Sequence, residues 1–188
     1  MPAAEPASPS RARALPFALR PHPALPAPAF VVSGEIERGS GGLVVRYAVR
    51  GDLGRLRLPP PMPPAAADDL WQHTCLELFV AGDEGAGYRE FNFSPSSQWA
   101  SYAFTDYRVR TEAPPAAPAV DCRAGADALV LRATLPAAAL PPGDWRLGVA
   151  AVLETCDGDL SWWALHHPAA RPDFHHRDGF VLALTERP

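Results

Sequence analysis

The sequence contains no lysine, and all 17 of its basic residues are arginine. Without a lysine amine the chain can form neither a Schiff base nor a P-loop. The arginines are scattered along the chain, and the formal net charge is -4. Because a protein that binds nucleic acid needs clustered positive charge to neutralise phosphates, we expect no nucleic-acid partner.

Cysteine and long hydrophobic runs are also scarce. The number of cysteines is odd, and none of them has CxxC spacing: they are Cys75, Cys122 and Cys156. This pattern indicates neither a disulfide framework nor a zinc knuckle. No segment approaches the roughly 20 apolar residues of a membrane span. Proline interrupts the apolar stretches of residues 1–23, unlike the core of a signal peptide. We therefore expect a cytoplasmic protein that does not bind membranes.

What the sequence has in abundance is proline. There are 23 prolines in 188 residues, and such a content argues against a helix bundle. Residues 1–14 are small, proline-rich and charged, and they predict a disordered lead. The length of the remainder, residues 15–188, suits a single domain.

Alternation of apolar and polar residues predicts strands throughout that domain. The segments Val31–Glu37 and Leu43–Val49 flank a glycine-rich turn and are typical of a hairpin. About nine such segments occur, without a helical period, and they predict an all-β fold, an antiparallel β-sandwich of the immunoglobulin-like or jelly-roll-like kind. The residues expected inside it are Leu76, Leu78, Phe91, Phe93, Val130, Val149 and Val152.

One face of the predicted hairpin at residues 71–93 is unusually polar and aromatic. Period-two alternation places Trp71, His73 and Glu77 on this face in the first arm, and Glu90 and Asn92 join it from the second. A sugar site needs a flat aromatic ring and fixed polar groups for the hydroxyls. This face, with Trp99 as a further ring, is therefore the leading candidate for a ligand site.

Four motifs carry a resemblance to a known family. LWQHTCLELFV, YREFNFSPSSQW, SWWALHHP and PDFHHRDGF together resemble the DOMON-like proteins related to the family 9 carbohydrate-binding modules, over most of residues 15–187. The resemblance implies a β-sandwich that binds a ligand, a sugar or haem, without catalysing a reaction.

The resemblance also implies roles for single residues. Trp71 matches the tryptophan that stacks on the sugar, Glu77 the glutamate that accepts hydrogen bonds from its hydroxyls, and Asn92 a second polar contact. Phe174 stands where the family has a partner tryptophan, and Glu90 stands where it has an arginine. The full set of expected ligand-binding residues is Trp71, His73, Glu77, Glu90, Asn92, Trp99, Trp163, His167 and Phe174.

A histidine-rich segment near the C-terminus supports an alternative, a haem or metal protein. The candidate ligands are His166, His167, His175 and His176, with Asp173 and Asp178 close by. Adjacent histidines on a strand point to opposite faces, so a role in fixing a loop is the preferred interpretation and no cofactor is expected.

A glycoside-active enzyme is the second alternative, with Glu77 and Glu90 as an acid and base pair. Glycosidases hold such carboxyl groups in a deep cleft, which a flat sheet face would not provide. No GxSxG, GxGxxG or HExxH motif is present. The sequence therefore favours a non-catalytic binding module for a saccharide or other small molecule, and it identifies neither the ligand nor the oligomeric state.

Overall fold

The computed structural model describes residues 14–113 and 116–185, and this part of the chain contains thirteen β-strands. Most of the disordered lead expected at residues 1–14 lies outside these described residues, and the first strand begins at Leu15. The strands are β1 (Leu15–Ala18), β2 (Arg20–Pro21), β3 (Val31–Gly39), β4 (Gly42–Arg50), β5 (Cys75–Gly82), β6 (Tyr88–Phe93), β7 (Trp99–Asp106), β8 (Val109–Thr111), β9 (Ala119–Ala124), β10 (Ala128–Pro136), β11 (Trp145–Glu154), β12 (Leu160–Ala164) and β13 (Leu182–Leu184).

These strands form two antiparallel sheets packed face to face. The smaller sheet has the order β1-β3-β4-β10-β9, and the larger has the order β2-β12-β11-β5-β6-β7-β8 with β13 also paired to β11. The hairpin predicted around Gly39–Gly42 is present as β3 and β4. The predicted antiparallel β-sandwich, a single domain, is confirmed.

Helical segments among the described residues are single 3-10 turns of three residues. In this part of the chain no helix has the length and apolar character needed to cross a membrane.

The core between the sheets confirms most of the predicted interior. Leu76, Leu78, Phe91, Phe93 and Val149 are buried there. Val152 is also buried, but its position in the alternation puts its side chain on the opposite face of the larger sheet.

The expectation that Val130 is inside is wrong, because its side chain is 45% exposed. Its neighbours in β10, Leu129 and Leu131, are fully buried instead. Val130 shares its face with Arg132 and Thr134, whereas Leu129 and Leu131 share theirs with Ala133 and Leu135, so the alternation of the strand already favours the observed orientation.

Two strand boundaries differ from the sequence interpretation, and both differences shape the outer face of the larger sheet. Residues 70–72 form a 3-10 turn before β5 rather than part of the strand. The alternating segment at residues 99–109 is not one strand: β7 ends at Asp106, the chain turns back at Tyr107 and Arg108, where Arg108 has a left-handed φ of 56°, and it returns as β8.

The loop between β12 and β13 covers part of that outer face. Both strands pair with the same edge of β11, β12 at residues 150–154 and β13 at residues 145–147. The residues between them therefore leave the sheet and fold over it. Phe180 from this loop packs on Phe79, and its ring lies so close to Gly148 that an added Cβ there would be 2.6 Å from it.

Candidate functional site

A cleft of about 380 Å³ opens on the outer face of the larger sheet, between the sheet and the covering loop. Its volume lies in the range of small-molecule sites. The flat surface expected from the sequence is therefore wrong, because the loop after β12 adds a wall. The cleft is lined by Trp71, Glu77, Glu90, Tyr102, Phe104, Arg108, Arg110, Val152, Trp162, Pro172, Phe174 and His175.

The floor of the cleft carries buried hydrogen-bond acceptors. Glu77 on β5 lies directly opposite Asn92 on β6. Glu77 is 3% exposed and Asn92 is 0% exposed. The Asn92 amide donates from Nδ2 to Oε1 of Glu90 over 2.8 Å. Among the described residues neither Oε1 of Glu77 nor Oδ1 of Asn92 has a hydrogen-bond partner. Both atoms are enclosed by the protein, and a buried acceptor without a partner is costly.

Burial disfavours the charged forms of both glutamates. It raises the pKa of the Glu77 carboxyl well above its ordinary value, and the charge of Glu90 adds to the effect. Burial also raises the pKa of Glu90, although Asn92 and the two arginines of the cleft partly oppose this. The floor thus holds two carboxyl groups that are poorly solvated and mutually repulsive when ionised.

Trp71 forms an open aromatic wall above this floor. The 3-10 turn that carries it follows a segment fixed to β7, where the Trp99 N–H donates to the Ala65 carbonyl and the Ala67 N–H donates to the Trp99 carbonyl. Trp71 is 50% exposed. A half-exposed ring at the cleft can stack on a ligand.

Tyr102 is held at another side of the cleft. Its hydroxyl donates to Oδ1 of Asp68 over 2.7 Å. Burial, together with that carboxylate, raises the pKa of Tyr102 to about 12. The phenol therefore stays protonated and keeps its position.

The two adjacent tryptophans of β12 face opposite ways. Trp162 pairs with Val152 and lines the cleft. Trp163, the one expected from the sequence to bind ligand, is 3% exposed in the core between the sheets, where its Nε1–H donates to Oγ of Ser161.

The covering loop contributes Phe174 and His175. A 2.8 Å hydrogen bond joins Nδ1 of His175 to the hydroxyl of Tyr88, and Nε2 lies 3.7 Å from Oε2 of Glu90. Burial lowers the pKa of His175 to about 4, and the charges of Arg108 and Arg110 act in the same direction. His175 is therefore neutral at neutral pH.

Both arginines of the cleft make their closest contacts with groups other than the buried carboxyls. Arg108 forms an ion pair of 3.1 Å with Asp173. The Arg110 guanidinium lies 3.7 Å above the centre of the Tyr102 ring. Their side chains form the cationic part of the cleft.

Three other residues expected at the site lie elsewhere. Nδ1 of His73 is 2.8 Å from Oε2 of Glu154. Trp99 pairs with Phe93 and so lies on the core side of the sheet. His167 places Nε2 2.9 Å from the Arg20 carbonyl. The structure thus brings Trp71, Glu77, Glu90 and Phe174 to the cleft lining, with Asn92 buried behind it and bonded to Glu90, and leaves these three elsewhere.

The four histidines of the metal alternative do not converge. His175 points to Tyr88 and His167 to Arg20, whereas His166 is exposed and His176 accepts from the Asp178 N–H at the start of a 3-10 turn. Within residues 14–113 and 116–185 no group of three or more His, Cys, Asp or Glu side chains could hold a metal ion.

Sequence reasoning missed several lining residues, chiefly Tyr102, Arg108, Arg110, Trp162 and His175. Tyr102 pairs with Glu90 across β6 and β7, so the strand alternation could have identified it. The turn that brings the arginines into the cleft depends on the left-handed backbone of Arg108, for which the sequence has no glycine as a signal.

A wider depression of about 700 Å³ lies around the Gly82–Gly87 turn and Pro141–Gly143. It is lined mostly by loop residues with small side chains, whereas the buried carboxyl groups of Glu77 and Glu90 and the ring of Trp71 line the smaller cleft. The smaller cleft is therefore the candidate site.

Comparison with known proteins defines the class of fold. No protein-family model matches the chain, and no curated protein sequence matches it significantly. The structure is similar to the crystal structure of a "putative carbohydrate-binding protein" from Bacteroides uniformis ATCC 8492, with a TM-score of 0.66 over 93% of this chain and 86% of that chain. The sequences are 15% identical, so the likeness shows a shared fold.

Proposed function

We propose that this protein is a non-catalytic module that binds a saccharide in the cleft. The observation that carries the proposal is the position of an exposed ring, Trp71, at the same cleft as two buried acceptor groups, the carboxyls of Glu77 and Glu90. A pyranose offers an apolar C–H face to stack on the ring and hydroxyl groups to donate to the acceptors.

The fold and the motif support the same proposal. The similar protein from Bacteroides uniformis is described as carbohydrate-binding. The resemblance to the family 9 modules rests on Trp71 and Glu77, and both residues line the cleft together with Phe174. We propose on this basis that the chain is a DOMON-like relative of those modules.

Binding rather than catalysis agrees with the position of the carboxyl groups. Glycosidases place their acid and their base or nucleophile on the two sides of the scissile bond. Glu77 and Glu90 both lie on the floor, on neighbouring strands, and Glu90 is held by Asn92.

Calorimetric titration of the full chain with a panel of monosaccharides and disaccharides tests the proposal. We expect modest affinity, because one stacked ring and a few polar contacts must offset the entropy of immobilising the ligand.

Trp71→Ala should weaken binding by about tenfold or more, the loss of one aromatic contact. Val130→Ala, on the smaller sheet, is the matched control and should bind normally. A panel without binding at millimolar concentration, or a Trp71→Ala protein that binds as tightly as the wild type, would contradict the proposal.

A further inference from the structure

We propose that Glu77 is a neutral carboxylic acid whose proton is donated to the amide oxygen of Asn92. Asn92 in turn donates to Glu90, so that Glu77 is a positioning residue and Glu90 is the charged acceptor for the ligand. The role of Glu90 rests on the proposed saccharide-binding function, whereas the position of the proton does not.

Two enclosed oxygen atoms on paired strands have no hydrogen-bond partner among the described residues. They are Oε1 of Glu77 and Oδ1 of Asn92. Glu77 and Asn92 lie directly opposite each other on β5 and β6, and the Cβ atoms of such a pair are about 4.5–5.5 Å apart. Two oxygens that only accept cannot bond to each other, whereas a proton on Glu77 makes its oxygen a donor. One proton therefore satisfies both buried atoms.

The Asn92 amide transmits this constraint to Glu90. Its Nδ2 donates to Oε1 of Glu90 over 2.8 Å. If the amide were turned over, its oxygen would face Glu90, and the proton would be needed on Glu90 instead of Glu77. Because the amide has one donor side and one acceptor side, either orientation requires a proton on one of the two glutamates.

The surrounding groups decide which glutamate keeps the proton. Burial raises the pKa of the Glu77 carboxyl well above its ordinary value, and the charge of Glu90 adds to this effect. Burial raises the pKa of Glu90 as well, but the Asn92 amide and the charges of Arg110 and Arg108 oppose the increase. The ionised form is therefore better stabilised on Glu90 than on Glu77.

The other titratable groups near Glu77 supply no positive charge. The Tyr47 hydroxyl donates to the backbone carbonyl of Glu77 over 2.8 Å. Burial raises the pKa values of Tyr47 and Cys75 well above their ordinary range, so both stay protonated. His175, with Nε2 3.7 Å from Oε2 of Glu90, is neutral because burial lowers its pKa to about 4. An ionised Glu77 would thus be a buried charge without a close partner.

Oε2 of Glu90 is the carboxylate atom that remains for a ligand. Oε1 is taken by Asn92, whereas Oε2 makes no hydrogen bond within the described residues, and Glu90 lines the cleft. Hydrogen bonds to an ionised acceptor are about twice as strong as those between neutral groups. Sugar binding should therefore depend more on Glu90 than on Glu77.

Infrared difference spectra of the full chain at pH 7 locate the proton, because the C=O stretch of a protonated carboxylic acid is separate from the bands of carboxylates. The spectrum of the wild type minus that of Glu77→Gln should contain the protonated band. Glu84→Gln, in the exposed turn after β5, is the matched control, and its difference spectrum should contain carboxylate bands only. If the band is absent for Glu77→Gln, or is lost in Glu90→Gln instead, the inference is overturned.

Two further samples keep the test independent of the folding of Glu77→Gln. In wild-type protein with isotope-labelled glutamate carboxyl groups, the protonated band should shift to lower frequency, and an unshifted or missing band would overturn the inference. Asn92→Leu keeps the size of the side chain and removes the acceptor, so the band should move to higher frequency. An unmoved band would contradict the hydrogen bond to Asn92.

Calorimetric titration tests which glutamate is the charged acceptor, with the sugar of the panel that binds best. At pH 7 Glu90→Gln should weaken binding by about tenfold or more, the loss of a charge-assisted hydrogen bond. The loss in Glu77→Gln should be at least about threefold smaller, because glutamine keeps a donor for Asn92 and an acceptor oxygen. Equal losses would overturn the role of Glu90. Far-UV circular dichroism checks the fold of each variant.

The outcomes distinguish this inference from the proposed function. If no sugar binds, the proposed function and the role of Glu90 are overturned, and the infrared spectra still decide where the proton lies. If sugars bind but the protonated band of Glu77 is missing, the inference is overturned and the proposed function stands.

Discussion

The hydroxyl of Tyr88 on β6 lies 2.8 Å from Nδ1 of His175, and this hydrogen bond ties the sheet to the loop that walls the cleft. The same hydroxyl accepts from the Arg108 N–H over 3.1 Å, so its own proton is available for Nδ1. Because His175 is neutral, we assign its proton to Nε2, which faces Glu90. Tyr88 thus connects three walls of the site: the sheet, the β7–β8 turn and the loop.

The depressed pKa of His175 predicts a loss of stability in acid. The folded state holds a pKa of about 4, whereas an unfolded histidine has about 6.5. Between these values the unfolded chain binds a proton that the folded chain does not, so the free energy of unfolding should fall as the pH drops from about 6.5 to 4. Urea unfolding at pH 7 and pH 4.5 should show a smaller pH difference for His175→Gln than for the wild type. His166→Gln, an exposed control, should behave as the wild type does, and an equal pH difference in all three proteins would contradict the assignment.

The raised pKa of Glu77 predicts the opposite dependence. Its folded pKa lies above the unfolded value of about 4.3, so this residue lowers stability as the pH rises through the folded pKa. At pH 8 the free energy of unfolding of Glu77→Gln, from urea unfolding, should therefore exceed that of the wild type by about 1–2 kcal/mol. This gain should shrink at pH 4.5. Glu84→Gln should show no pH-dependent gain. A Glu77→Gln protein that is less stable than the wild type at pH 8 would show that the ionised carboxylate is satisfied in the fold.

Adjacent tryptophans should separate binding from stability. Trp163→Ala removes a buried ring from the core and should cost about 3–5 kcal/mol of unfolding free energy. Trp162→Ala should leave the free energy of unfolding within about 1 kcal/mol, because the ring is only partly buried, but it should weaken sugar binding. Urea unfolding and calorimetric titration of the two variants provide the measurements. If Trp162→Ala instead lost stability and Trp163→Ala instead lost sugar binding, the register of β11 and β12 would be shifted by one residue.

Gly148 offers a test of the loop without changing a cleft residue. An alanine Cβ at this position would lie 2.6 Å and 3.0 Å from two ring atoms of Phe180, so the ring must move and carry the loop with it. We expect Gly148→Ala to lower the unfolding free energy by about 1–3 kcal/mol and to weaken binding. Gly39→Ala is the control, since a Cβ there has open space around it. Unchanged sugar affinity in Gly148→Ala would show that the loop position does not affect the cleft.

The sequence by itself determined the sandwich and the floor of the site. Alternation identified most strands, and the hairpin of β5 and β6 is local enough that its spacing placed Glu77, Glu90 and Asn92 on one face. These relationships need only the period of a strand and one turn, so they follow from neighbouring residues.

Only the tertiary structure decided which other side chains line the cleft around Glu77 and Glu90. Trp162 rather than Trp163 reaches the cleft because β12 is in register with β11. Phe174 and His175 come from a loop that covers the sheet because β12 and β13 share one edge of β11. Period-two alternation tells which residues share a face but not what covers it. The covering contacts join residues far apart in the chain, and their geometry exists only once both sheets are assembled.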